Sequence, residues 1–174
     1  MCIRDRYSVI NGGQAIIAAV KPTYQYSSVP FKTNEYSTVH PESPAGLFSI
    51  QNSAEVCPSM VSGIGAGFGS STAELIAANQ LLAKPWNENE LFAWYREKCA
   101  PASGADLVVQ EMSRTQGTGI YQFKNNANQF EISRFEIPKD ILENLFVFQT
   151  PRSFKVETHE DLKTRSISSL STQK

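Results

Sequence analysis

From Gly63 to Glu74 the chain reads Gly-Ile-Gly-Ala-Gly-Phe-Gly-Ser-Ser-Thr-Ala-Glu. Glycines at 63, 65, 67 and 69 remove side chains where a backbone must approach a ligand or take a positive φ. Ser70 and Ser71 follow where apolar helical periodicity begins. The first amides of a helix have no intrahelical partner, and the helix dipole is positive there. A glycine-rich bend that feeds a helix start is therefore an anion cradle suited to phosphates. A serine hydroxyl at that point can also ligate a magnesium ion held by the same phosphates. The alternative is a tight strand-to-helix connection with no ligand.

Spacing separates this stretch from other glycine motifs. A Walker loop ends in Gly-Lys-Ser/Thr, and no lysine occurs here. A dinucleotide fingerprint needs Gly-x-Gly-x-x-Gly. Starting from Gly63, Gly65 or Gly67, the third glycine is replaced by Phe68, Ser70 or Thr72.

Other chemistries find less support. Cys2, Cys57 and Cys99 lie too far apart in sequence for a compact thiolate metal motif, and His40 and His159 are well separated. Sixteen basic residues against seventeen acidic ones give a formal net charge of -1, with no cationic run to serve as a nucleic-acid footprint. No apolar run approaches the roughly 20 residues needed to cross a bilayer. The opening residues 1–6 are charged and lack the apolar core of a secretory signal. The expected compartment is the cytoplasm, with neither nucleic acid nor membrane as partner.

The string Gly65-Ala66-Gly67-Phe68-Gly69-Ser70-Ser71 closely resembles the phosphate-binding loop of the galactokinase–homoserine kinase–mevalonate kinase–phosphomevalonate kinase (GHMP) superfamily. In that family Gly-Leu-Gly-Ser-Ser-Ala precedes a buried helix; Phe68 replaces the leucine and Thr72 the alanine. Two further segments stand in family order. Tyr7-Ser8-Val9-Ile10-Asn11-Gly12-Gly13 is similar to the opening hairpin. Ala102-Ser103-Gly104-Ala105-Asp106 is similar to the Ser-Gly-x-Asp segment of mevalonate and phosphomevalonate kinases.

The resemblance implies an ATP-dependent small-molecule kinase using Mg²⁺, nearest the mevalonate branch and so tied to isoprenoid biosynthesis. Gly65, Ala66, Gly67, Phe68, Gly69, Ser70 and Ser71 would bind the nucleotide, and Ser71 would also bind the metal. Asp106 would be the base or orienting group for the acceptor hydroxyl, and Ser103, Gly104 and Lys155 would contact substrate. Without the resemblance, Asp106 reads equally as a helix cap after a Ser-Gly turn. The family's second metal ligand, a glutamate, falls at Tyr95 here, with Glu97 close by. The implied partner is a small-molecule substrate, and a homodimer of the full-length protein stays open. The alternative function is a non-catalytic nucleotide-binding or regulatory module on the same fold.

The elements that must position these residues follow from periodicity and punctuation. Tyr7–Ile10, Ala15–Val20 and Thr23–Val29 read as strands, with a hairpin turn at Asn11-Gly12. Residues 30–46 carry Pro30, Pro41, Pro44 and Gly46 and read as a loop, and Leu47–Asn52 as a strand. Ser70–Ala83 is a helix of wide apolar coverage, stopped by Pro85. Asn87 and Glu90 stand in capping-box spacing at the head of a second helix that Pro101 ends. Strands are expected at Gly119–Phe123, Phe130–Ile137 and Leu145–Gln149, and a short helix at 159–164.

Strands, then helices, then strands make an α+β chain. The resemblance specifies it further as the GHMP kinase N-terminal domain type, an antiparallel or mixed sheet with helices on one side, incomplete at both ends. Residues 1–6 would be a non-native leader, 7–140 the ATP-binding domain, and 141–174 the start of a truncated second domain.

Overall fold

The structure is a computed structural model that describes residues 13–19, 24–31, 39–63, 69–99, 102–126, 129–138 and 140. The chain divides into two units, Met1–Glu136 and Ile137–Lys174. Every element below belongs to the first. The expected elements at 7–10, 145–149 and 159–164, and the leader 1–6, lie outside the described residues.

The architecture is α+β, with two antiparallel sheets and four helices among the described residues. β1 (Gln14–Ala19), β4 (Gly119–Asn126) and β5 (Gln129–Arg134) form one sheet in the order β1-β4-β5. β2 (Gln25–Pro30) and β3 (Val56–Ser62) form the other. The larger sheet shows how period-two patterning fixes register: Ala15 stands opposite Phe123 and Ile17 opposite Tyr121. All four side chains are buried, while Gln14 and Ile16, which alternate with Ala15 and Ile17, are exposed. A slip of one residue would turn that whole set outward.

The helices are α1 (Pro44–Gln51), α2 (Ser70–Gln80), α3 (Glu88–Lys98) and α4 (Ala105–Gln116). The segment expected as a strand, Leu47–Asn52, is instead most of α1. Pro44 sits in its first turn and the Ser43 side chain accepts from the Gly46 amide, a complete N-terminal signal. Phe48, packed edge-on against Trp86 and Trp94, supplies the tertiary contact that holds so short a helix. Gln51 accepts from Trp94 Nε1 at 2.7 Å.

α2 ends at Gln80, three residues before the expected limit, where Leu81 caps it. The buried Asn79 then brackets the connection to α3. Its carboxamide donates to the Trp86 carbonyl at 3.0 Å and accepts from the Trp86 amide at 2.8 Å. α3 starts with the expected capping box, Asn87 and Glu90 each serving the other's backbone amide.

Two apolar cores result. Val39, Ala45, Phe48, Cys57, Leu75, Ile76, Leu91, Trp94 and Leu107 belong to the first. Ala15, Ile17, Phe92, Ala105, Val108, Val109, Tyr121 and Phe123 belong to the second. α3 contributes Leu91 and Trp94 to one and Phe92 to the other. α4 likewise gives Leu107 to one and Val108 and Val109 to the other. α4 thus packs on α2, α3, β1 and β4 together. Asp106 is carried by the most embedded helix of the unit.

No described helix is long and apolar enough to cross a membrane.

Candidate functional site

Two of the four helices begin in the same unusual way. α2 has Gly69 at its N-cap with φ 80°, and α4 has Gly104 with φ 74°, both in the left-handed region. Neither cap contributes a side-chain hydrogen bond. α1 and α3, by contrast, carry Ser43 and Asn87 caps. The helices without capping side chains are the two that bear the sequence's candidate residues, Ser70 and Ser71 on α2 and Asp106 on α4. A glycine is required at both caps. A Cβ on Gly69 would overlap the Gln110 carboxamide, and one on Gly104 would overlap the Phe92 ring.

The structure brings the second turn of α4 onto the start of α2. Gln110, one turn beyond Asp106 on α4, donates from Nε2 to the Gly69 carbonyl at 2.9 Å. Its Oε1 lies 3.1 Å from the Thr72 hydroxyl, which is also 2.8 Å from the Gly69 carbonyl. Thr72 is only 2% exposed, so a lost partner in this partly buried clasp is costly. The Thr72 hydroxyl thereby ties Gly69 to Gln110, on the helix that carries Asp106.

Two tyrosines close the other side. The Tyr26 hydroxyl reaches the Ser70 carbonyl at 3.3 Å. The Tyr24 ring lies against Gly63, where a Cβ would overlap the ring edge, and its centroid is 6.4 Å from that of Tyr26. Burial raises the pKa of Tyr24, and the negative charge of Asp106 raises it further. Tyr26 is raised strongly by burial, then by the Glu74 charge and by Tyr24. Burial alone pushes the Glu74 carboxyl up. Gly63, Gly69, Ser70, Glu74 and Asp106 are therefore linked through Tyr24, Tyr26, Thr72 and Gln110.

The remaining candidates fall as follows. Gly65, Ala66, Gly67, Phe68 and Lys155 lie outside the described residues. Ser71 is exposed at the start of α2. Ser103 is partly buried and accepts from the Ala105 amide at 3.3 Å. Gly104 serves the turn itself, with Phe92 against it. Arg96 of α3 fixes the approach to this turn by donating to the Ala102 carbonyl at 2.9 Å. Glu97 is exposed and pairs with Lys98 at 2.7 Å, while Tyr95 packs on the first core. The second carboxylate acting on the tyrosines is Glu74.

Sequence reading missed α4 altogether, and with it Gln110. The signal was present: Ala105, Val108, Val109 and Met112 follow helical spacing. Tyr24 and Tyr26 looked like β propensity alone, and nothing in their spacing pointed to the bend.

Comparison of the chain with protein-family models, curated proteins and solved structures finds no match.

Among the described residues no group of three or more histidine, cysteine, aspartate or glutamate side chains could cage a metal.

Proposed function

We propose that the chain binds ATP, with Mg²⁺, at the glycine-rich bend between Gly63 and Ser71. It transfers the γ-phosphate to a hydroxyl or phosphate of a small metabolite held beside Asp106. This is the chemistry of a GHMP-type kinase, nearest the mevalonate branch. The observation that carries the reading is the Gln110 clasp, which ties the exit of the bend to the helix of Asp106 one turn away. A transfer site needs this juxtaposition, because phosphoryl transfer depends on holding donor and acceptor in line.

The chain's own groups divide the work. Amides at the start of α2, without a capping side chain, face charge that builds on the phosphate oxygens. Gly69 lets the backbone approach closely, and Ser71 offers its hydroxyl to the metal. Mg²⁺, when bound, would supply neutralisation of the phosphate charge. Asp106 orients the acceptor hydroxyl and takes its proton as the new P–O bond forms and ADP departs. Mevalonate-like alcohols are the first substrates to try, in the cytoplasm.

The test uses Asp106→Asn with MgATP titration and a coupled ADP-release assay over mevalonate, phosphomevalonate, homoserine and galactose. Wild-type binding of MgATP, with turnover that drops at least about 100-fold in the variant while binding persists, is the expected result. Turnover that survives the substitution would remove Asp106 from the catalytic role, whereas wild-type MgATP binding without turnover would favour a nucleotide-binding module without catalysis. No nucleotide binding by the wild type would end the reading.

A further inference from the structure

The connection from α2 to α3 forms an open hollow of about 280 Å³, lined by Lys84, Pro85, Trp86 and Glu90. It lies past the C-terminal end of α2, about 16 Å of helix away from Ser70 and Ser71, so it is separate from the nucleotide reading. Two of its walls are held in place from behind. The Asn79 carboxamide brackets the Trp86 backbone at 2.8 and 3.0 Å, and the Trp86 ring stands edge-on to Phe48 at 5.1 Å. Glu90 is tethered through one carboxylate oxygen, which accepts from the Asn87 amide at 2.9 Å. Lys84 and Glu90 bring opposite charges to the same hollow, yet no ion pair joins them, and Lys84 has no partner among the described residues.

That combination selects the occupant. A simple cation is drawn to Glu90 but repelled by Lys84, and a simple anion meets the reverse. A molecule that carries both charges, with an apolar part for the indole and the proline ring, satisfies all four walls at once. The volume corresponds to about nine waters at about 30 Å³ each, so the molecule is small. We propose that this hollow binds a small zwitterion of the α-amino-acid class. Glu90 takes the ammonium group on its untethered oxygen, Lys84 takes the carboxylate, and the side chain lies on Trp86 and Pro85. Both charged walls open to water, so the affinity is on the order of millimolar.

Proton–nitrogen NMR of the whole 174-residue chain tests this through the two indole N–H signals, which Trp86→Phe assigns. L-leucine should shift the Trp86 signal saturably and leave that of Trp94, which donates to Gln51, in place. N-acetyl-L-leucine lacks the ammonium group and L-leucinamide lacks the carboxylate, so each should bind at least about fivefold more weakly. Glu90→Gln preserves the capping box, and Lys84→Met preserves the apolar stem. Both variants should keep the wild-type far-UV dichroism while L-leucine affinity falls about fivefold or more. No saturable shift, equal binding by either blocked analogue, or unchanged L-leucine affinity in either variant would overturn the site. Equal movement of both indole signals, the mark of non-specific contact, would overturn it too. None of these outcomes depends on whether the bend binds nucleotide.

Discussion

Single residues decide the electrostatics of the bend, and Glu74 is the one whose consequence can be read by pH. It is half-buried, and burial holds its carboxyl above the usual carboxylate range. The folded state therefore binds its proton more tightly than the unfolded chain does. The associated stability is full below the ordinary value of 4.5 and is lost as pH rises through the raised folded value. Glu74→Gln, which never carries the charge, should raise the melting temperature at pH 7 by up to a few degrees. The gap should close below pH 4.5. A variant that melts lower than wild type at neutral pH would show that the charged form has a partner worth more than its burial costs. Legibility differed sharply among residues. Gly69 and Gly104 announced themselves, because positive φ leaves few alternatives to glycine. Tyr24 and Glu74 did not, because their significance lies in neighbours distant in the chain.

At the scale of elements, two polar clasps of similar size should behave differently. Asn87 and Glu90 cap α3 at the surface, and Asn87→Ala should cost about 1 kcal/mol with no change in nucleotide affinity. Gln110 joins α4 to Gly69 and Thr72 through a partly buried contact. Gln110→Ala strands the Gly69 carbonyl and Thr72, so it should cost about 1–3 kcal/mol and weaken MgATP binding as well. Urea unfolding beside nucleotide titration measures both variants, and an unchanged affinity for Gln110→Ala would detach the clasp from the site. α2 and α3 were legible because wide apolar periodicity, a capping box and proline stops all agree. α1 was misread because Leu47, Phe48 and Ile50 look strand-like over so short a run. Its true signals were Ser43 and Pro44, local to the cap, and Phe48 wedged between two tryptophans, which only the fold reveals. α4 differs: the spacing of Ala105, Val108, Val109 and Met112 is helical, but the Ser-Gly string in front of it reads as a turn, and Gly104 offers no capping side chain to mark a helix start.

Across the whole unit Met1–Glu136, two cores share helices α3 and α4, so neither can melt while the other keeps its packing. Phe92 is the hinge of that arrangement. It is fully buried, meets Phe130 edge-on at 4.9 Å and Phe123 at 6.3 Å, and covers Gly104. Phe92→Ala should cost about 3–5 kcal/mol. A single unfolding transition should remain, seen alike by tryptophan fluorescence, which reports Trp86 and Trp94, and by far-UV dichroism. Separate transitions would mean that the cores are independent. The α+β class was readable from the order of elements, whereas an antiparallel or mixed sheet was only what the resemblance implied. The division into two sheets was not, because β1 joins β4 across about a hundred residues of sequence and no local pattern encodes that choice.

Cys57 and Cys99 give this molecule two clocks of its own. Cys57 is fully enclosed in the first core, while Cys99 caps α3, where partial burial makes its thiol harder to ionise. A thiol-specific reagent should consume Cys99 at a pace set by fraying of one helical turn. Cys57 should wait for the entire core to open, so their ratio reports local against global motion. If nucleotide grips the bend between α2 and α4, saturating MgATP should slow the Cys57 clock far more than the Cys99 one. Mass spectrometry of the labelled peptides would record the difference.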